Sequence, residues 1–277
     1  MGTDDPRLNS VGKIDFRIQR TIKAWKMQDP PPHRVKPIPI QVIRQLACVA
    51  RNSSPTFAVY QATVDMIIIA FFFLLRPGEY TDSPSESTPF RIEDVQLFIG
   101  QTRLCLLTAS IGEIQQARFG SLTFTTQKNA VRNEVIGLAC SGDSYLCPVK
   151  ALARRIIYWR QHSTNTQLPV ARVFEGSQRV TSAFITKTIR DALADIGPSL
   201  GFLPADVSGR CLRAAGANAL LLARIDPDVI RLIGRWRSDE MLRYLHVQAA
   251  PLMQDYARKM LLAGSYTLIP NQLVPQH

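Results

Sequence analysis

Residues 208–246 read SGRCLRAAGANALLLARIDPDVIRLIGRWRSDEMLRYLH. Arg213 is followed by Ala214, Ala215, Gly216 and Ala217, a run of small side chains that lets a helix approach its neighbour closely. Asp226 before Pro227 supplies a cap and a preset φ, and Ser238 before Asp239 and Glu240 supplies a cap and negative charge, so helices are expected over 211–223, 227–233 and 239–247. Thirty-one residues after Arg213, Tyr244 stands in a basic, aromatic setting.

A second unusual stretch lies upstream. Residues 66–80 read MIIIAFFFLLRPGEY: ten apolar residues meet Arg76, Pro77, Gly78 and Glu79. The run is far short of the roughly 18 apolar residues that a bilayer span requires, and Asp65 closes its upstream side, so a helix buried in protein is expected over 54–75. Phe71, Phe72 and Phe73 are then core. An arginine at the mouth of such a helix can lay its stem on apolar surface and present a planar, permanently charged fork, a geometry suited to phosphate oxygens. Taken alone, Arg76 could equally cap its own helix or pair with Glu79.

The remainder of the chain supports a mainly helical reading. It has 277 residues, 46% hydrophobic and 20% charged, enough for one large domain or one plus a remnant. Residues 13–27 alternate apolar and basic positions with Ile14, Ile18, Ile22 and Trp25 near one face, which predicts a short helix. Five prolines within residues 29–39 read as a linker. Further helices are expected over 40–50, 148–162, 181–196 and 251–262, the last with an apolar face that suits another subunit or its own domain. Between 94 and 140 the pattern changes to short runs rich in Val, Leu, Phe and Thr: DVQLFIG, QTRLCLLTAS, SLTFTTQ and NEVIGLAC. These predict a small antiparallel sheet inserted among the helices.

Charge narrows the class of partner. Thirty-three Lys and Arg against 22 Asp and Glu leave a net charge of +11, which suits nucleic acid or an acidic membrane surface. The five cysteines (Cys48, Cys105, Cys140, Cys147, Cys211) show no CxxC or His pairing, a pattern that favours a reducing intracellular compartment without zinc. No GxxxxGK[ST] or GxGxxG loop supports a nucleotide-driven mechanism. Arg154 and Arg155 beside Tyr158 and Trp159 could meet a DNA backbone or form a solvated helix face over a buried tryptophan.

Together, LLRPGEY, the turn QKNAVR and residues 208–246 resemble, in that order, the catalytic domain of tyrosine recombinases, the phage-integrase-like family, and look closest to the versions carried by eukaryotic mobile elements of the Crypton and DIRS type. The resemblance covers residues 37–262. It implies an α+β, mostly helical fold with a small inserted antiparallel sheet, preceded by residues 1–36 as a remnant helix and linker of a truncated N-terminal domain, and followed by a tail over 263–277.

The resemblance also implies roles. Arg76 and Arg213 match the two arginines that hold the non-bridging oxygens of the scissile phosphate and stabilise its pentacoordinate transition state. Lys128 matches the strand lysine that protonates the departing 5′ oxygen. Tyr244 matches the nucleophile that forms a 3′-phosphotyrosyl bond, so neither metal nor other cofactor is expected. Arg210 falls where the family usually has histidine, and an arginine can contact phosphate but cannot accept a proton near neutral pH. Either Arg235, nine residues before Tyr244, or Trp236 of the GRW pattern fills the last position, and Trp236 is preferred as a packing and hydrogen-bonding partner. None of His33, His162, His246 and His277 occupies a matching position. The expected partners are double-stranded DNA and further copies of the chain, in a tetramer on DNA. No membrane and no small-molecule cofactor are expected, and the kind of relative suggests the nucleus.

Overall fold

The computed structural model describes residues 7, 13–28, 36–52, 58–82, 89–125 and 134–236. The chain divides into two compact units, residues 1–34 and 35–277. The first contributes one helix, α1 (Phe16–Gln28), on which Phe16 and Trp25 are exposed. Everything that follows concerns the second.

Helix α2 (Ile40–Asn52) buries Val42, Ile43, Leu46, Ala47 and Ala50, a stripe at helical spacing that packs on α3 (Ala58–Phe72). In α3 every residue from Ala62 to Phe71 is buried, so this helix has no solvent face over that span. The expected helix over 54–75 is shorter at its C-terminal end, because Leu74 turns into the left-handed region (φ 51°) and the Leu75 N–H reaches back to the Ala70 carbonyl at 3.0 Å. That closure usually takes glycine; leucine is held there by its complete burial. Pro77 and Gly78 do not simply stop the helix. After two extended residues the chain starts again as a single turn, α4 (Pro77–Tyr80), with proline at the first position where no N–H is missed.

The sheet follows: β1 (Val95–Ile99), β2 (Thr102–Arg103), β3 (Phe119–Phe124) and β4 (Glu134–Ala139), antiparallel throughout in the order β2-β1-β3-β4. The strand expected across QTRLCLLTAS is only two residues long; Thr108 and Ala109 donate their N–H groups to the Cys105 carbonyl instead, and the chain leads into α5 (Ile111–Gln116), capped by Ser110 and Glu113. The alternation of that segment is too short of β-branched residues to hold a fourth long strand against the local turn chemistry of Thr108, Ser110 and Gly112.

Helix α6 (Pro148–His162) lies against both α3 and the sheet, where Leu152 closes on Gly120 so tightly that a Cβ there would come within 3.2 Å of it. Arg154 on α6 pairs with the buried Asp65 of α3 at 2.5 Å, and Arg155 donates to the carbonyls of Val170 (3.0 Å) and Arg172 (2.5 Å). Trp159 is buried and donates to the Asn165 carbonyl. In this basic-aromatic cluster Arg155 is turned inward onto backbone carbonyls, while Arg154 reaches the buried Asp65 from a partly exposed position. Three further helices follow among the described residues: α7 (Ser182–Leu200), running past Pro198 to a left-handed Gly201, α8 (Cys211–Leu222) and α9 (Pro227–Ile233).

Helix α8 carries the small-residue run onto the end of α3. A Cβ on Gly216 would stand 2.2 Å from the Phe71 carbonyl oxygen and 2.4 Å from Leu74 Cδ2, so only glycine permits this approach. The expected helix at 239–247 and that at 251–262 lie outside the described residues. We predict that Gly216→Ala lowers unfolding free energy by about 3 kcal/mol in urea titrations, because the backbone oxygen it meets cannot give way as a side-chain end would. An unchanged midpoint would show that α8 can slide on α3.

Candidate functional site

The turn between α3 and α4 is where distant segments meet. Arg76 starts α4; its backbone N–H and its Nη1 both donate to the Glu79 carboxylate, at 2.8 Å and 3.1 Å. The Arg76 side chain keeps 28% exposure, so its guanidinium stands at the boundary between protein and solvent. Tyr80, wholly buried, donates its hydroxyl to the Gly209 carbonyl at 2.8 Å, tying α4 to the residue just before Arg210. Burial pushes that phenol far above its ordinary range, and it stays neutral.

Arg213 reaches the same turn from α8. Its Nη1 donates to the Leu74 carbonyl at 2.8 Å, its Nη2 to the Gly234 carbonyl, and the Trp236 ring lies over its guanidinium carbon at 4.1 Å. Only 4% of Arg213 is exposed. Its charge is thus held at the carbonyl ends of two helices, α3 and α9, both of which present partial negative charge there.

Arg235 comes from the far side. It sits in the left-handed region (φ 58°) as the closing residue of α9, with the Trp236 N–H bonded to the Arg231 carbonyl. Its Nη2 pairs with Glu79 Oε2 at 2.8 Å, its Nη1 donates to the Phe73 carbonyl, and its guanidinium carbon lies 3.6 Å over the Phe124 ring. Burial pulls this arginine down to about 10, with Glu79 opposing the shift and Arg76 adding to it, so it remains charged at neutral pH. Phe124 ends β3, the strand that leads toward Lys128.

Arg76, Arg213, Arg235 and Trp236 therefore gather around residues 73–79, drawn from the start of α4, from α8 and from the end of α9. Arg210 behaves differently. It is exposed at the N-terminal boundary of α8, one turn before Arg213. The contacts of Trp236 described above are packing contacts: it joins Leu74, Ala217 and Ile230 in a small core and covers Arg213. Lys128 and Tyr244 lie outside the described residues. Glu79 is the member that sequence reading left in a secondary role, as a partner of Arg76 alone. Its position three residues after Arg76, within a helix start, was the available signal. That Arg235 shares it could not be read from spacing.

Among the described residues, no group of His, Cys, Asp and Glu could hold a metal ion, and no helix is long and apolar enough to cross a membrane.

No family model matches the sequence, and no curated protein matches it. Solved structures do share its fold. One is the XerH site-specific recombinase bound to palindromic difH substrate in a post-cleavage complex, with a TM-score of 0.51 and 13% identity over 83% of this chain and 53% of that one. Another is XerH bound to difH in a pre-cleavage complex, with a TM-score of 0.51 and 11% identity over 92% of this chain and 59% of that one. The chain thus spans between half and three-fifths of the length of these recombinases. The mostly helical architecture with its four-stranded antiparallel insertion is the fold of a tyrosine recombinase catalytic domain.

Because Glu79 is the carboxylate that Arg76 and Arg235 share, Glu79→Ala is expected to cost about 3 kcal/mol in chemical denaturation, most of it from leaving Arg235 buried with its charge uncompensated. Adding Arg235→Met should recover part of that loss. Simple additivity of the two substitutions in a double-mutant cycle would contradict the shared ion pair.

Proposed function

We propose that the protein is a DNA strand-transfer enzyme of the tyrosine recombinase type. The observation that carries this reading is the convergence of Arg76 and Arg213, 137 positions apart, on one short turn, in a domain whose fold occurs in site-specific recombinases. The net charge of +11 supports a polyanionic partner, and the motifs of the sequence favour double-stranded DNA.

In this reading Arg76 meets a non-bridging oxygen of the scissile phosphate from its half-exposed position. Arg213 supplies a second positive charge, in reach of that oxygen once its carbonyl contacts yield to phosphate. Tyr244 attacks phosphorus: a bond from the phenol oxygen to phosphorus forms as the phenol proton passes to solvent water, the bond to the 5′ oxygen breaks, and the departing oxygen takes a proton from Lys128. The phosphotyrosyl bond conserves the phosphodiester, so a 5′ hydroxyl of another strand can reverse the step. Trp236 holds the Arg213 guanidinium by stacking. Arg235, through Glu79, sets the position of Arg76. Arg210, exposed at the start of α8, offers a further phosphate contact in place of histidine but cannot take the phenol proton. The family resemblance favours a mobile-element enzyme of eukaryotic type working in the nucleus, as a tetramer on DNA.

A second reading has its own support. The arginine at position 210 removes the usual proton acceptor, and the carbonyl bonds of Arg213 would have to be exchanged for phosphate contacts. On that reading the domain binds DNA and does not cut it.

Incubation with nicked suicide duplexes followed by denaturing electrophoresis separates the two. The enzyme reading expects a covalent protein-DNA band that Tyr244→Phe abolishes and Arg76→Ala reduces by about 100-fold. Absence of a Tyr244-dependent band rejects it. If Arg210→His then creates such a band, the domain is a disabled enzyme that lacks only its proton acceptor.

A further inference from the structure

A second concentration of charge lies where the end of α2, the end of β4 and the start of α6 meet. There a cavity of about 480 Å³ is lined by Arg51, Arg118, Lys150 and Arg154, and shares no residue with the cluster around Arg76. Ala153 and Ile157 form apolar wall.

Two carboxylates stand nearby, and both are already engaged. Asp143, at the rim, accepts Arg44 Nη2 at 2.7 Å and the backbone N–H groups of Tyr145 (2.7 Å) and Leu146 (2.9 Å). These contacts hold its carboxyl at about 2, with the Arg44 bond the largest cause, so it is ionised and neutralised by Arg44 at any physiological pH. Asp65, 1% exposed, takes Arg154. That leaves Arg51, Arg118 and Lys150 in excess around one recess.

Backbone carbonyls orient Lys150 and an aromatic ring orients Arg51, with no carboxylate hydrogen-bonded to either among the described residues. Lys150 donates to the carbonyls of Gln115 and Ala117. Arg51 lies over the Tyr145 ring at 4.5 Å, and burial followed by repulsion from Arg154 pulls its guanidinium below the ordinary arginine value. Arg51 is thus held near the Arg154 cation, with Tyr145, Asp65 and Asp143 offsetting part of the repulsion. A multiply charged anion entering the recess would relieve that repulsion and gain charge-assisted hydrogen bonds.

We infer that this cavity binds a small phosphate-bearing anion, between inorganic pyrophosphate and a mononucleotide in size. Several cations around a single void match an anion carrying more than one charge, and guanidinium forks match phosphate oxygens. The apolar wall at Ala153 and Ile157 leaves room for a group attached to the phosphate. Arg51 and Arg118 are exposed at the mouth, while Lys150 is half-buried and set back from where the convex backbone of a duplex would lie, so a small anion entering the recess can meet all three. The site does not depend on the proposed strand-transfer activity.

Calorimetric titration of the full chain with inorganic pyrophosphate, without DNA, tests this. Saturable binding of one equivalent is expected, weakened at least about tenfold in an Arg51→Gln, Arg118→Gln double variant, whose side chains are exposed and not required by the core, and unchanged in Arg76→Gln. On the unaltered protein, pyrophosphate should also protect Arg51 from phenylglyoxal, read by peptide mass spectrometry. No saturable binding, equal affinity in the double variant, loss in Arg76→Gln, or unprotected Arg51 overturns the inference. So does a double variant that weakens duplex binding while pyrophosphate fails to bind, since the face would then be a DNA surface.

Discussion

One carboxylate governs the arginine cluster. Glu79 takes Arg76 on one oxygen and Arg235 on the other, and it also accepts the backbone N–H of Arg76. Two guanidinium groups side by side repel each other by several kcal/mol at the low effective dielectric of a protein boundary. With Glu79 between them they become a fixed pair, one buried and one half-exposed. The buried member is expendable as a charge to solvent and valuable as a brace. The half-exposed member keeps spare donors toward the surface, the state in which an arginine can meet an anionic ligand. Around this pair the remaining contacts bolt down each helix end: Tyr80 on Gly209, Arg213 on Leu74 and Gly234, and Gly216 against Phe71.

The same arrangement explains why a ten-residue apolar run ends on a guanidinium. α3 is buried on every side from Ala62 to Phe71, so its terminal carbonyls cannot be satisfied by water. Arginines from elsewhere in the chain do that work, Arg213 at Leu74 and Arg235 at Phe73. The cluster is thus both a structural cap and a concentration of positive charge. A site assembled in this way is rigid, because moving Arg213 or Arg235 exposes a buried carbonyl and moving Arg76 takes a partner from Glu79; on the proposed reading, phosphate would compete for these same donors. The strain at Leu74 and Arg235, both left-handed without glycine, sits in the two turns that present these carbonyls.

Much of this was legible in the sequence, for identifiable reasons. Helices α6 and α9 begin and end where Pro148, His162, Pro227 and Ile233 mark them, since proline at the first turn is a strong local signal. The sheet was legible from β-rich runs separated by turns, and the close approach of α8 from its alanine-glycine run. What escaped was set by tertiary contact. The short β2 and the helix α5 depended on local capping at Ser110. The inward reach of Arg154 and Arg155 depended on Asp65 and on carbonyls from residues 170 and 172. For the site, Arg76 and Arg213 were singled out by motif, and each makes contacts within residues 74–79. The part played by Glu79 did not, because a carboxylate three residues from an arginine reads locally as a helix cap, and the second arginine arrives from 156 positions away.

The central claim is that the turn after α3 gathers guanidinium groups to hold one phosphate. A crystal structure of the protein on a nicked duplex addresses it directly. The account predicts Arg76 and Arg213 donating to oxygens of the same phosphate, with Arg213 released from at least one of its carbonyls and Glu79 still bridging Arg76 and Arg235. A duplex lying elsewhere on the domain, with Arg213 still bonded to Leu74 and Gly234 and no phosphate near Arg76, would contradict it.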